Sequence, residues 1–370
     1  MLLLLLKIIL FAVVAVGLAE IAARIYFRRR YGIPFQSRMI GEYPYKSFIE
    51  KVAPPLYYRF RRGFRSTTVN INRFGCRGPE PAPDGEKKRV LVIGESNFFG
   101  VKLRRESEVW DARLQAIFRL RGIDDWEVIN AGSPIYNSTQ HLKYWEQEIA
   151  TVKPDIVVFG FGLNDLSQAW MMGKKWDPET TVWPEKFIYA LERHAPRWQH
   201  FLANFCLWLF WKRRTSERRE FPRLDDNFQW EKCLEVITEN LRALRDLARA
   251  QGAQVAGSVA GFVFDREPTP EDCRRLDAIQ SNWRSFQSGR GAYDLALLDE
   301  LRRIFRELEI PCIDFDKTLR RHPRRYELYL DVAHFNPAGM RVLARILFDE
   351  IEKLGWWRQV ADKSGKQGGK

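Results

Sequence analysis

Five short apolar runs, each followed by residues with helical spacing, set the strongest limit on how this chain folds. The first, RVLVIGES (89–96), is continuous rather than alternating, the pattern of a strand buried on both faces of a parallel sheet. WEVINAG (126–132), DIVVFGFG (155–162), AQVAGSVA (253–260) and PCIDFD (311–316) follow it. Between and after them lie amphipathic stretches at 107–122, 137–154, 226–252, 294–310 and 336–355. Asn137 or Ser138 supplies an N-cap for the second, and Asn336 with Pro337 opens the last. Strand and helix in this alternation predict an α/β fold with a mainly parallel sheet.

The chain ahead of the first strand is of a different kind. Residues 1–19, MLLLLLKIILFAVVAVGLA, carry one charge, Lys7, and approach the length that crosses a bilayer. GLA before Glu20 resembles a weak signal-peptidase site, but an uncleaved anchor over 1–27 is the expectation. Residues 31–87 form an aromatic and basic extension, 88–358 the main domain, and 359–370 a disordered tail. Within the main domain, an insertion at about 165–225 is rich in tryptophan. Its segment WQHFLANFCLWLFWKRR (198–214), with Trp198, Trp208 and Trp211 beside three cations, reads as a cap helix or as a helix in the membrane interface.

The formal net charge of +13 is concentrated at Arg59–Arg65, Lys212–Arg219 and Arg320–Arg325. Such clusters attract anionic headgroups or are solvated surface. No nucleic-acid-binding motif accompanies them, so nucleic acid is not an expected partner. The five cysteines show neither CxxC spacing nor a disulfide framework. His141, His194, His200 and His322 lack ligand spacing, so neither a metal nor another cofactor is expected.

Three polar, glycine-bearing loops fall where an open α/β sheet binds ligands, at the carboxyl ends of its strands, and a fourth polar loop precedes the last helix. The first strand ends at Ser96, the second at Gly132, the third at GFGLND with Asn164 and Asp165, and DVAHFN places Asp331 and His334 before the last helix. Serine is a weak nucleophile until a base takes its proton. His334 is suited to be that base, and Asp331 to hold the second ring nitrogen. The backbone N–H groups of Ser96 and Gly132 and the side-chain amide of Asn164 are the candidate oxyanion donors.

These blocks resemble those of the SGNH, or GDSL-type, hydrolases. GES (94–96) is similar to the first block, with Glu95 where aspartate is usual; NAG (130–132), GLND (162–165) and DVAH (331–334) are similar to the second, third and fifth. NRFGCRG (72–78) and the apolar N-terminus are similar to bacterial membrane-anchored members. The resemblance spans about 88–354 and implies a three-layer α/β/α fold with Ser96, Gly132, Asn164, Asp331 and His334 in the catalytic set. Phe98 stands where the G-x-S-x-G elbow of other α/β-hydrolases has its second glycine.

The function expected is that of a membrane-associated serine ester hydrolase, working through an acyl-enzyme on an acyl or acetyl ester of a lipid or glycan. The rival expectations are an O-acyltransferase using the same triad on a cell-envelope sugar or lipid, and a non-catalytic basic protein bound at the membrane surface. The family likeness puts the catalytic domain on the extracytoplasmic side, whereas Arg24, Arg28, Arg29 and Arg30 after the anchor favour the cytoplasm.

Overall fold

A computed structural model describes residues 2–31, 45–179, 205–207, 228–279, 283 and 291–357. The chain divides into two compact units, residues 1–44 with 193–220 and residues 45–192 with 221–370.

In the first unit the apolar N-terminus is one helix, α1 (Leu2–Tyr31). Its stretch Leu3–Tyr26 has a mean hydropathy of 2.5 and little of it is buried. Among the described residues it is the one helix long and apolar enough to cross a membrane, a test that a signal sequence also passes. Glu20 is its buried exception: it bonds Arg24 one turn on at 2.7 Å and accepts the backbone N–H groups of Cys206 at 2.8 Å and Leu207 at 3.0 Å. Most of the 198–214 segment, including Trp198, Trp208 and Trp211, and the tail 359–370 lie outside the described residues.

The second unit opens with one helical turn, Tyr45–Phe48, which leads into an antiparallel hairpin of β1 (Ile49–Lys51) and β2 (Tyr58–Phe60). Next come β3 (Lys88–Gly94), a single turn α2 (Ser96–Phe99), α3 (Trp110–Leu120), β4 (Trp126–Gly132), α4 (Ser138–Gln147), β5 (Ile156–Gly160) and α5 (Leu163–Met172). The remainder is α6 (Trp230–Ala250), β6 (Gln254–Val259), α7 (Pro270–Ile279), α8 (Ala292–Glu307), β7 (Cys312–Asp314), α9 (Phe315–Arg320) and α10 (Pro337–Lys353).

Strands β3 to β7 form a five-stranded, wholly parallel sheet in the order β4-β3-β5-β6-β7. Val90 to Ile93 are fully buried, as a strand covered on both faces requires. Helices α3 and α10 pack together on one face, and α4, α5, α6 and α8 on the other. The α/β architecture and its parallel sheet are those expected. The chain steps from β3 outward to β4, then crosses back to β5, so the connections diverge between β3 and β5. A crevice opens at such a point, outside the carboxyl ends of the strands.

The segment 45–87 belongs to this same compact unit. Phe48 and Phe60 stack on Phe99 of the α2 turn, with ring centroids 5.9 and 5.0 Å away. The N–H of Arg77 donates to the Asn130 carbonyl at 3.0 Å and so occupies part of the exposed edge of β4. Two of the three basic clusters have internal partners. Arg59 pairs with Glu50, Arg62 with Glu148 and Arg65 with Glu80. Arg320 pairs with Asp265 and Asp316, and Arg325 with Asp265. The third cluster, Lys212–Arg219, lies outside the described residues.

Candidate active site

The turn that carries Ser96 is shaped by three glycines side by side. Gly94, Gly132 and Gly160 close β3, β4 and β5 in register. A Cβ on Gly94 would meet the Phe98 ring at 2.4 Å, one on Gly160 would meet the same ring at 2.3 Å, and one on Gly132 would meet the Phe99 nitrogen at 2.4 Å. Their bare backbones let α2 lie directly across the strand ends, with Phe98 seated over two of them. Phe98 therefore has a packing role at the position where an ordinary elbow carries glycine. The turn closes at Gly100, whose φ of +77° suits a residue without Cβ, and its N–H returns to the Ser96 carbonyl at 3.1 Å.

The Phe98, Phe99 and Gly100 carbonyls at the end of so short a helix have donors from outside it. The Phe98 carbonyl accepts the Trp110 indole at 2.6 Å and the Asn130 side chain at 2.9 Å. The fully buried guanidinium of Arg77 donates to the carbonyls of Phe99 and Gly100 at 2.9 Å each and of Thr68 at 3.0 Å, and pairs with Glu106 at 3.1 Å. The NRFGCRG segment thus underpins the turn that carries Ser96.

Ser96, Asp331 and His334 come together although 238 residues separate the first from the last. Ser96 Oγ lies 2.9 Å from His334 Nε2, and His334 Nδ1 lies 2.9 Å from both Asp331 oxygens. Asp331 also accepts the backbone N–H groups of Ala333 at 3.0 Å and His334 at 2.9 Å, which folds the DVAH loop around the carboxylate. Lys102 Nζ ion-pairs with the Asp331 oxygen Oδ2. Burial alone would push the Asp331 carboxyl up, but the charges of His334 and Lys102 outweigh it and hold that carboxyl well below its usual range.

The third block is tied to the first through Glu95. Its buried carboxylate accepts the N–H groups of Gly162 at 2.9 Å and Asn164 at 2.8 Å. Glutamate in place of aspartate therefore spans from the nucleophile turn to the start of α5. Asn164 Nδ2 donates to the Tyr136 carbonyl at 3.0 Å, which fixes the amide by one of its two N–H bonds. The Gly132 N–H donates to Asn130 Oδ1 at 3.0 Å. Asp165 is turned inward, bonded to the Ser138 N–H at 2.9 Å, and burial pushes its carboxyl up to about 7.

His141 is buried and stacked 5.0 Å from Phe161, with burial lowering it to about 3. His322 Nδ1 accepts the Arg324 N–H at 3.2 Å, while His194 and His200 lie outside the described residues. Among the described residues no group of three or more histidine, cysteine and carboxylate side chains gathers as a metal site would require.

The sequence profile of the GDSL-like lipase/acylhydrolase family matches residues 92–342, more than half of the chain and all four loops of the site. The chain belongs to this family. It is a serine hydrolase that acts on ester bonds. Solved structures that it resembles include the acetyl xylan esterase AlAXEase, at 15% identity over 70% of this chain and 98% of that one, with a TM-score of 0.42. A lipase/acylhydrolase from Enterococcus faecalis is 17% identical over 72% and 96%, with a TM-score of 0.40. A putative acylhydrolase from Bacteroides fragilis is 14% identical over 74% and 91%, with a TM-score of 0.38. No curated protein matches the chain in sequence.

Proposed function

We propose that Ser96, His334 and Asp331 act as the catalytic triad of this hydrolase, with an acyl-enzyme on Ser96. The observation that carries the reading is the unbroken relay at 2.9 Å from Ser96 Oγ through both ring nitrogens to Asp331. In acylation the Ser96 hydroxyl proton passes to His334 Nε2 as Oγ bonds the ester carbonyl carbon, whose oxygen takes the negative charge. The carbon–alkoxide bond then breaks and the alcohol leaves with that proton. Water repeats the sequence on the acyl-enzyme, releases the carboxylic acid and restores the serine. Asp331, ionised well below neutral pH, holds the imidazole in one tautomer and stabilises its protonated form.

For the oxyanion, the Ser96 N–H and the second Nδ2 hydrogen of Asn164 are the proposed donors. The Gly132 N–H joins them by exchanging its bond to Asn130 for one to the substrate oxygen. The proposed substrate is an acyl or acetyl ester of a lipid or glycan, met at a membrane on which α1 holds the enzyme, with the catalytic unit on the extracytoplasmic side. Ser96→Ala tests the triad. It removes one part-exposed hydroxyl, so the purified variant should unfold at the wild-type temperature and lose hydrolysis of p-nitrophenyl acetate. Turnover near that of the wild type overturns the assignment.

A further inference from the structure

We propose that Lys102 is a positioning residue that sets the pH range of the triad, holding Asp331 against His334 and opposing protonation of the imidazole. The proposal rests on the triad reading above. Two independent observations carry it. Lys102 ion-pairs with Oδ2 of Asp331, the carboxylate whose two oxygens also face His334 Nδ1. It also sits at φ +70°, a left-handed conformation that is unfavourable for a residue with a side chain and that glycine adopts freely. A strained lysine placed beside a catalytic acid is the kind of outlier that collects at functional sites.

Lys102 follows the nucleophile turn in the chain, so one short segment carries both the serine and the cation that meets the far end of the relay. The side chain is half-exposed, at 52%, so its influence is reached by solvent ions. Charged groups on the surrounding elements have other partners: Glu95 the amides of Gly162 and Asn164, Asp265 the guanidinium groups of Arg320 and Arg325, Asp316 those of Arg302 and Arg320. Glu327, before the DVAH loop, pairs with Arg324. Asp331 contacts the imidazole and Lys102 contacts Asp331, which sets both charges on the relay.

The sign follows from charge. A cation beside Asp331 disfavours a second cation on the imidazole, and it draws off part of the attraction that the carboxylate offers. Its removal makes the imidazolium easier to form, so kcat/KM falls away at a higher pH.

The experiment measures kcat/KM for p-nitrophenyl acetate from about pH 5 to 9 for the wild type and for Lys102→Met, Lys102→Gly and Lys102→Arg. The acid limb should move to higher pH in the Met and Gly variants and stay in place in the Arg variant, with the rate above pH 8 lowered in Met and Gly, where Asp331 loses its anchor, and kept in Arg. Lys102→Gly should also melt no lower than the wild type, because it relieves the backbone while losing the charge. In about 1 M salt, where screening reaches ~3 Å, the wild-type limb should approach that of Lys102→Met, and this measurement needs no variant to fold. A wild-type acid limb that neither the substitutions nor salt displaces overturns the role of Lys102 and leaves the triad standing. A wild type with no acid limb, or an active Ser96→Ala, overturns the triad and Lys102 together.

Discussion

Arg77→Met removes the guanidinium beneath the Ser96 turn and keeps an unbranched side chain in its place. The cost can be worked from the bonds. Gly100 retains a second partner in the Leu103 N–H at 3.3 Å, so the charge-assisted bonds to the Phe99 and Thr68 carbonyls are the ones that count. Each charge-assisted bond contributes about 1.5–3 kcal/mol, and the relief of a buried charge offsets part of the total. Glu106, whose side chain is 21% exposed, can rehydrate and adds little. A net loss of about 3 kcal/mol follows, or a drop of ~5 °C in Tm for a domain of this size. A displaced α2 also moves Ser96 from His334, and misplacement by about 1 Å costs on the order of a hundredfold in rate. Thermal unfolding followed by near-UV circular dichroism, with kcat for p-nitrophenyl acetate, reads both effects. A variant that melts within about 1 °C of the wild type and turns over at its rate would refute the claim that Arg77 supports the turn.

Asn164→Ala removes one proposed oxyanion donor and should lower kcat about a hundredfold; a rise in KM with kcat untouched would make Asn164 a substrate-binding residue instead. Asp111→Asn tests a buried acid. Burial, with nearby Glu106 adding to it, pushes the Asp111 carboxyl up to about 7. The folded protein therefore holds a proton there that the unfolded chain releases above about pH 4, and stability declines as pH rises from 4 to 7. The amide should be more stable than the wild type at pH 8 by about 1–3 kcal/mol and equal to it near pH 4, as read by urea unfolding. Equal stability at pH 8 would contradict this.

The parts of the fold legible in the sequence are those that local chemistry dictates. Val90 to Ile93 form an unbroken apolar run because both faces of β3 are covered, and the Asn336–Pro337 start of α10 follows from capping alone. Ser96, Asn164, Asp331 and His334 are visible because each stands at a strand end or beside a helix cap. What remained hidden depends on long-range pairing. Arg77 lies in a stretch that reads as turn signals, yet its donors meet carbonyls more than twenty residues away. Arg320 and Arg325 read as a surface charge cluster because Asp265 is 55 and 60 residues distant in the chain. Lys102 carries no sequence signal, since neither its left-handed backbone nor its contact with Asp331, 229 residues on, has a local cause. Gly132 shows a difference of another kind: the space it leaves is filled by the Phe99 backbone, and Asn130 from the same NAG block holds its N–H.

The most direct test of the central claim is covalent labelling with a fluorophosphonate, followed by mass spectrometry of the digested protein. The reagent phosphonylates an activated serine and expels fluoride, so it reports the nucleophile without knowledge of the natural ester. The account predicts one adduct, on the peptide that contains Ser96, formed rapidly by the wild type and lost or greatly slowed in His334→Ala. An unlabelled Ser96 in folded protein, an adduct at another serine, or labelling of Ser96 at full speed without His334 would contradict it.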